Sequence, residues 1–367
     1  MHLEEREREI WACAFCNSMC RHVCTVAMAA KLESTQPKGK GMIEYSILKG
    51  EGEFSEGAIE RMYMCVDCGR CRVWCITGIS DCSRNVQAGR ADIVELGRAP
   101  RSILKWKENT SKYRSLYEVP VEERFKKVKG LPELESGADA LYFVGCTTAQ
   151  HQPEIAESTL KILKSMGEKV VVARGEVCCG YPLWAAGFRE NAKQLAEENV
   201  ENLKSLNIKR VVTSCPECYL ALKERYREWG VPVNLEVFHI AEYLDKRRFK
   251  LRPSKKLSMS VIYHDPCHLG RRAGIYDEPR RLLAAIPGLK VGEIRWSREN
   301  SLCCGGGGGL PVTHPELSKT ICEKALADAK EGGAEALVTA CPFCKQIFLE
   351  RAEDFNLKVY DIVELLA

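Results

Sequence analysis

Two hydrophobic patterns divide the chain. In residues 1–100 the apolar positions recur at helical spacing, as in GMIEYSILKGEGEFSEGAIERMYM, which predicts short helices. From about residue 138, short Val- and Ile-rich runs such as ALYFVGC and EKVVVA alternate with helical stretches such as EIAESTLKILKSMG. This alternation is typical of parallel strands joined by crossover helices. The pattern therefore predicts a small helical domain followed by an α/β domain.

The α/β pattern is duplicated. After the first series, the same order returns in MSVIYHDPC, LKVGEI, AEALVTACPFC and LKVYDIVELL, beyond an exposed basic link, DKRRFKLRPSKK. Corresponding cysteines lie at nearly constant intervals: Cys146 and Cys267 are 121 residues apart, Cys178 and Cys303 are 125 apart, and Cys215 and Cys341 are 126 apart. We predict a helical ferredoxin-like domain at 1–100, a helical connector at 101–137, and two Rossmann-like α/β repeats at 138–250 and 251–367.

Composition narrows the function classes. The chain has 367 residues, 45% of them hydrophobic and 28% charged, which predicts a globular protein. The net charge of +4 is spread along mixed helical stretches, so no nucleic-acid partner is expected. The start, MHLEEREREIW, has no signal-peptide character, and no segment approaches the roughly 18 apolar residues of a membrane span. We expect a cytoplasmic protein that reaches the inner face of a membrane only through a partner subunit.

Twenty cysteines in a chain expected in the cytoplasm indicate metal ligands or redox groups. Two groups of four, in CAFCNSMCRHVC and CVDCGRCRVWC, have the layout of the bacterial ferredoxin run, in which the fourth cysteine binds the other cluster. The first run has one extra residue before its third cysteine, and no proline follows either fourth cysteine. Zinc is the alternative, although it usually takes two separated cysteine pairs. On the ferredoxin pattern, one 4Fe-4S cluster is held by Cys13, Cys16, Cys20 and Cys75, and a second by Cys65, Cys68, Cys71 and Cys24.

Each α/β repeat carries five further cysteines in a fixed order: one after a strand, then a vicinal pair followed by glycine, then a Cys-Pro-x-Cys segment that opens a helix. Ligands of an open parallel sheet collect at the carboxyl ends of its strands, so the five thiols of a repeat should converge. Five ligands exceed the needs of zinc or of a four-iron cubane, which predicts an unusual iron–sulfur site. The sets are Cys146, Cys178, Cys179, Cys215 and Cys218, and Cys267, Cys303, Cys304, Cys341 and Cys344.

The segments GCTTAQHQPE, CCGYPLWAAG, TSCPECYLALK, HDPCHLGR, CCGGGGG and TACPFCKQIF resemble the duplicated CCG domain of heterodisulfide reductases. Preceded by two ferredoxin-type motifs, they resemble the architecture of the D-type subunit of those enzymes, which is shared with iron–sulfur subunits of glycerol-3-phosphate and glycolate dehydrogenases and with DsrK-type reductases. The resemblance covers nearly the whole chain. It implies that a complete five-cysteine set binds a noncubane 4Fe-4S cluster, so that one or two such clusters accompany the two ferredoxin-type clusters.

The resemblance also implies a function. Electrons would pass from a membrane cytochrome b or a flavoprotein redox subunit, through the ferredoxin-type clusters, to the CCG clusters, where a disulfide is reduced or formed. The alternative is a non-catalytic relay between a flavin dehydrogenase, or an electron-transfer flavoprotein, and the quinone pool. For the catalytic role we select the second repeat, with Cys267, Cys303, Cys304, Cys341, Cys344 and His268 as the candidate residues.

Residues beside the motifs offer further chemistry. His264, His268, Arg271 and Arg272 flank Cys267, where they would donate hydrogen bonds to sulfur, protonate a leaving thiolate or bind substrate anions; a helix-capping turn with solvated arginines is the alternative. Cys82 and Cys322 lie outside every motif. We predict packed thiols for both, with a role behind the ligands as the alternative for Cys82.

The stretch SLCCGGGGGLP places five glycines after the second vicinal pair. It lacks the lysine and hydroxyl residue of a phosphate-binding loop, and the first repeat has CCGYPLW in the same place, which argues against a linker. We expect these glycines to adopt positive φ, to allow close approach of the backbone to a cluster and to point N–H groups at sulfur. Their small size would also make the second repeat the roomier site for a substrate.

Overall fold

The computed structural model describes residues 1–132, 137–206, 208–253 and 256–367. Residues 133–136 of the predicted connector and 254–255 of the predicted link lie outside the described residues. The chain forms two compact units. The first contains Met1–Lys107, Pro182–Arg189 and Leu302–Ala325, and the second contains Glu108–Tyr181, Glu190–Ser301 and Leu326–Ala367.

Helices occur along the whole described chain. Short π-helical turns cover Ala221–Arg225 and His268–Arg272. The α-helices are α1 Glu7–Phe15, α2 Thr25–Ala30, α3 Pro37–Leu48, α4 Glu56–Tyr63, α5 Arg70–Val73, α6 Cys82–Glu95, α7 Arg101–Tyr113, α8 Cys146–His151, α9 Pro153–Ser165, α10 Tyr181–Ala186, α11 Arg189–Ser205, α12 Pro216–Leu220, α13 Tyr226–Glu228, α14 Ile240–Asp245, α15 Asp277–Ala284, α16 Leu310–Thr313, α17 Pro315–Glu331, α18 Pro342–Leu349 and α19 Ile362–Leu366.

Among the described residues, eight strands form two parallel sheets of four, both in the second unit. The sheets have the orders β2-β1-β3-β4 and β6-β5-β7-β8, which are the same order in each repeat. The predicted duplicated α/β fold is therefore confirmed. The strands are β1 Ala140–Phe143, β2 Val170–Val172, β3 Arg210–Thr213, β4 Glu236–His239, β5 Ser260–Tyr263, β6 Lys290–Gly292, β7 Ala336–Thr339 and β8 Lys358–Asp361.

In the first unit, every regular element among the described residues is a helix. α1 packs against α3 and α6, and their apolar sides bury Ile10 and Ile93 completely. The chain start is joined to α6 because the Asp92 carboxylate accepts backbone N–H groups of His2 at 2.6 Å and Leu3 at 3.0 Å. Across the described residues, no helix is both long and apolar enough to cross a membrane.

In the second unit, the two repeats pack against each other through their helices. β1 and β7 are buried at every residue, as expected for parallel sheets that are covered on both faces. α9 of the first repeat packs against α19 of the second, and α14 packs against α15. Each Cys-Pro-x-Cys helix also contacts the first-cysteine turn of the other repeat: α18 packs on α8, and α12 packs on the turn His268–Arg272.

We expect Leu337→Ala to lower the free energy of unfolding by about 2–5 kcal/mol, because it removes a side chain from the centre of the second sheet and leaves a cavity. Leu337 is 1% exposed in β7, which pairs with β5 and β8. The control is Leu349→Ala, since Leu349 is 45% exposed. Urea unfolding followed by circular dichroism compares the two; equal losses would contradict the packing described.

Candidate metal centres

The N-terminal cysteines gather in the first unit, on helix ends and short turns. Cys13, Cys16, Cys20 and Cys75, the predicted first set, line one pocket together with Cys71 and Cys82. Cys24, from the first run, lies near the second: burial raises its pKa, and the neighbouring charges of Cys71 and Cys68 add to the rise. The pocket brings the four cysteines of the first set together, and Cys24 lies near two members of the second set. The assignment of ligands to clusters stays a prediction.

Cys82 is a further member of this thiol group, in agreement with the alternative of a role behind the ligands that its sequence position suggested. It is buried, as expected for a packed thiol, but its sulfur is hydrogen-bonded to Cys13 and Cys71, which raises its pKa well above the usual value. The same contact lowers the pKa of Cys13. The Pro37 carbonyl oxygen lies 3.6 Å from the Cys13 sulfur and 3.8 Å from the Cys82 sulfur. The one available signal was its position at the start of α6, seven residues after Cys75.

Two buried cations accompany these thiols. Lys40, in α3, donates its ammonium group to the Thr35 carbonyl, and Arg90, in α6, donates to carbonyls around Cys65. Burial raises the pKa of Cys65 to about 12, and the charges of Lys40 and Arg90 oppose that rise. Lys40 opposes the rise at Cys24 in the same way. A group of soft thiol ligands with nearby positive charge suits an anionic iron–sulfur cluster bound by thiolates.

The five thiols of the first repeat converge within the second unit. They follow the carboxyl ends of β1, β2 and β3, as predicted from the parallel sheet. A chain of thiol contacts joins Cys146 to Cys178, Cys178 to Cys179, Cys179 to Cys218 and Cys218 to Cys215.

The protons of these thiols are shared unevenly. Hydrogen bonds from Cys178 and Cys218 lower the pKa of Cys179 to about 7 against the effect of burial. The corresponding contacts with Cys179 and Cys215 raise the pKa of Cys218 well above its usual value. One thiolate is therefore stabilised by neighbouring S–H donors. This donor set fits a thiolate-bound cluster, and the five sulfurs exceed what one tetrahedral zinc ion takes.

A buried carboxylate sets the turn before Cys146. Glu176 accepts the N–H groups of Val144 and Gly145, both at 2.8 Å, and burial raises the pKa of Glu176 to about 7. Gly145 has φ of 82°, and a Cβ placed on it would lie 3.2 Å from the Cys218 sulfur. Glycine is therefore required here by both the backbone conformation and the approach of a sulfur. Sequence reasoning missed Glu176, which stands two residues before Cys178.

The second set of five is divided between the compact units. Cys267, Cys341 and Cys344 belong to the second unit, and Cys303 and Cys304 to the first. Cys267 follows β5, and Cys341 and Cys344 flank the start of α18, where the Cys341 sulfur accepts the Cys344 N–H at 3.4 Å. As predicted, proline occupies the first turn of both Cys-Pro-x-Cys helices.

The glycine run after Cys304 has two of the backbone features that we predicted, positive φ at three of its glycines and N–H groups directed at sulfur. Gly305 and Gly306 donate N–H groups to the sulfurs of Cys303 and Cys304, each at 3.4 Å. Positive φ occurs at Gly305, Gly308 and Gly309. The expectation that Gly307 and Gly308 make a roomy substrate site is wrong: a Cβ on either would overlap the backbone carbonyls of Val66 and Cys65.

His268 connects the two repeats within the second unit. Its Nδ1 lies 3.4 Å from the Cys267 sulfur, and its Nε2 lies 3.0 Å from the hydroxyl of Tyr181, which follows the first vicinal pair. Glu217 of the CPEC segment lies 4.0 Å from Nδ1. The imidazole is nearly buried, so its contacts are with protein groups. Tyr181 and Glu217 were not predicted, because sequence does not show which residues of one repeat face the other.

Two other polar residues near Cys267, Asp265 and Arg271, form hydrogen bonds that fix the backbone around this cysteine. Asp265 binds Arg280 through both carboxylate oxygens, at 2.7 and 2.8 Å, and accepts the Arg298 N–H at 2.7 Å. Arg271 donates to the carbonyl of Ser301 at 2.8 Å, so this arginine is not simply solvated.

Comparisons with known proteins agree with this architecture. The family model described as the cysteine-rich domain, CCG, matches residues 140–223 and 261–348. The D-type subunit of dihydromethanophenazine:CoB–CoM heterodisulfide reductase from Methanosarcina mazei is 30% identical, with 98% of this chain and 93% of that protein covered. The EtfAB:quinone oxidoreductase of Syntrophomonas wolfei is 32% identical over 64% of this chain and 35% of its own length.

A solved structure has a similar fold. The crystal structure of a hypothetical protein from Helicobacter pylori gives a TM-score of 0.60 at 9% identity, covering 99% of this chain and 74% of that one. At this identity the likeness concerns the fold alone.

We expect Cys82→Ala to change the electron paramagnetic resonance (EPR) signals of the N-terminal clusters, because it removes a thiol that contacts Cys13 and Cys71. The free energy of reducing the affected cluster should change by about 1 kcal/mol, the scale of one hydrogen bond. Cys322→Ala, at another buried cysteine outside the motifs, is the matched control. A redox titration followed by EPR makes the measurement, and identical signals in Cys82→Ala and wild type would contradict a role for this thiol.

Proposed function

This chain belongs to the family of the D-type subunits of heterodisulfide reductase, and from that premise we propose that it reduces a disulfide to two thiols, or runs the reverse reaction, as the catalytic subunit of a complex. Membership makes the chain an iron–sulfur oxidoreductase. The observation that carries the proposal is the convergence of five buried thiols in the first repeat, at Cys146, Cys178–Cys179 and Cys215–Cys218, because the second repeat has the same five-cysteine set in its sequence. A relay alone needs only four-thiol sites.

We assign the cysteines to two kinds of cluster. Eight N-terminal cysteines, from Cys13 to Cys75, hold two 4Fe-4S clusters, and each five-cysteine set holds a further CCG-type cluster. When bound, iron–sulfur clusters supply one-electron transfer. The reaction consumes two electrons and two protons for each disulfide: RSSR′ + 2e⁻ + 2H⁺ gives RSH and R′SH. The protein must therefore deliver electrons singly and place a proton donor beside sulfur.

His268 is the candidate donor beside sulfur. Its Nδ1 faces Cys267, while the Tyr181 hydroxyl and Glu217 fix the orientation of the ring. The corresponding position of the first repeat, 121 residues earlier, is Thr147, which contacts the Tyr117 hydroxyl at 2.9 Å. Only the second repeat thus has an imidazole next to its first cysteine. This difference favours the second repeat, with Cys267, Cys303, Cys304, Cys341 and Cys344, as the site of disulfide chemistry.

Electrons enter from a redox partner. Met19, Trp74 and Ile76 are exposed by 47%, 42% and 66%, and they surround the pocket that Cys13 and Cys75 line. Apolar side chains at the edge of a cofactor pocket are suited to contact with another subunit. The partner that we propose is a membrane cytochrome b or a flavoprotein subunit, which would hold this chain at the inner face of the membrane.

The second candidate function is a non-catalytic relay between a flavoprotein and the quinone pool. It is favoured by the relative named EtfAB:quinone oxidoreductase, although this chain covers only 35% of that protein. Both functions require the N-terminal clusters. They differ in whether the CCG sites react with sulfur substrates.

We expect anaerobically reconstituted protein to contain about ten or more irons per chain, to reduce a disulfide with a reduced dye as donor, and to show a new EPR signal when thiol is added to the oxidised form. Cys304→Ala should lose the thiol-induced signal and keep the N-terminal signals. Exchange of electrons with a flavoprotein in the absence of any disulfide reduction would favour the relay. A colourless preparation that contains zinc would refute both functions.

We expect His268→Gln to lower the turnover of disulfide reduction by about 100-fold or more, the usual scale for loss of a positioned proton donor, while iron content stays at the wild-type level. Tyr181→Phe should have a smaller effect in the same direction, because it removes one hydrogen bond that orients the ring. His314→Gln, at a half-buried histidine of the first unit, is the control. Wild-type turnover in His268→Gln would rule out the assigned role.

A further inference from the structure

Arg90 is a buried arginine whose hydrogen bonds all go to backbone carbonyls. It is 1% exposed. Nε and one Nη atom donate to Met62 at 3.0 and 2.9 Å, and further bonds reach Cys65 at 2.9 Å, Ala185 at 2.8 Å and Gly308 at 2.9 Å. These five bonds use all five N–H donors of the guanidinium group. The positive charge thus has no paired carboxylate within the described part of the chain.

The bonded carbonyls come from three separate stretches of the first unit. Met62 and Cys65 lie at the second N-terminal cysteine run. Ala185 lies in Pro182–Arg189, and Gly308 in Leu302–Ala325, and these segments follow the vicinal pairs of the first and second repeats. One side chain therefore joins the N-terminal cysteine run to both vicinal-pair segments.

Contact between Cys65 and the glycine run is made backbone to backbone. A Cβ on Gly307 would overlap the Val66 carbonyl, and one on Gly308 would overlap the Cys65 carbonyl. Gly308 also has φ of 61°, in the left-handed region. Four residues earlier stands Cys304, whose sulfur accepts an N–H from the same run. A predicted ligand of an N-terminal cluster is thus connected to a predicted ligand of the second CCG site through a short stretch of glycine backbone.

We propose that Arg90 is a positioning residue that fixes the junction through which electrons pass from the group held at Cys65 to the group held at Cys303 and Cys304. The inference rests on the proposed function, since it assumes clusters at both places. With clusters bound, Cys65 would hold the group that gives up one electron and is oxidised, and Cys303 and Cys304 would hold the group that accepts this electron and is reduced. Electron transfer through protein slows steeply with distance, so a fixed backbone contact favours this route.

The charge of Arg90 has a second effect. An unpaired cation close to Cys65 stabilises added negative charge, so it favours the reduced state of the group held there. Substitutions of Arg90 can separate the effect of its hydrogen bonds from the effect of its charge. Lysine keeps the charge but has only three donors, whereas glutamine keeps an amide donor and loses the charge.

The first test is a redox titration of the reconstituted full chain followed by EPR. Arg90→Gln should lower the midpoint potential of an N-terminal cluster by at least about 59 mV, a tenfold change in the one-electron equilibrium constant. Arg90→Lys should shift it by less than that. The control is Arg124→Lys, at another buried arginine that donates to backbone carbonyls, in the second unit; it should leave the N-terminal potentials unchanged.

The second test concerns the junction. After rapid reduction by dithionite, freeze-quenched EPR should show electrons reaching the second CCG site at least tenfold more slowly in Gly308→Ala and in Arg90→Lys than in wild type. Gly333→Ala is the matched control, because Gly333 has φ of 77° and open space where a Cβ would stand. It has the same backbone strain without displacing the Cys65 carbonyl, so transfer should proceed at the wild-type rate.

The outcomes separate this inference from the proposed function. Wild-type potentials in Arg90→Gln together with wild-type transfer rates in Gly308→Ala would overturn the inference and leave disulfide reduction untouched. Wild-type protein that fails to reduce any disulfide, while the Arg90 and Gly308 variants show the expected shifts, would overturn the catalytic role and support the junction. If Arg90→Gln loses its iron, Arg90→Lys and Gly308→Ala decide the result.

Discussion

The structure depends on placing many thiol groups in a protein interior, where a thiolate is costly unless something stabilises its charge. The two units meet this requirement differently. In the first, Lys40 and Arg90 bring full positive charges to the cysteine runs. In the second, the five thiols of the first repeat share protons, so that the pKa of Cys179 falls while that of Cys218 rises. The first unit thus opposes the cost of burying thiolates with fixed cations, and the first repeat stabilises a thiolate with neighbouring S–H donors.

Duplication supplies two equivalent scaffolds whose sites have diverged. The sheets have the same strand order, and each Cys-Pro-x-Cys helix packs on the first-cysteine turn of the other repeat. The side chains next to the first cysteines differ. Thr147 faces the hydroxyl of Tyr117, which precedes the first repeat, whereas His268 faces Tyr181 and Glu217 of the other repeat. The first repeat therefore contributes Tyr181 and Glu217 to the surroundings of Cys267 in the second repeat.

Much of the architecture could be predicted from the sequence, because it depends on local patterns. Period and strand composition predicted the parallel strands of both repeats, and nearly constant cysteine intervals predicted the duplication. Motif spacing also grouped Cys13, Cys16, Cys20 and Cys75, which line one pocket. What could not be predicted depends on contacts between distant segments. Arg90 stands in an ordinary helical pattern, and its partners Ala185 and Gly308 lie 95 and 218 residues away.

The glycine run illustrates the difference between local and long-range information. Its sequence correctly indicated positive φ and N–H groups directed at sulfur, since both are properties of the loop itself. The loop sequence could not show what occupies the space beside the glycines, because that depends on which segment packs there. The segment that packs there is the backbone of Cys65 and Val66, so protein fills the space in which we expected a substrate. A run of five glycines thus serves two contacts at once, sulfur on one side and another cysteine run on the other, and a side chain at Gly307 or Gly308 would force those contacts apart.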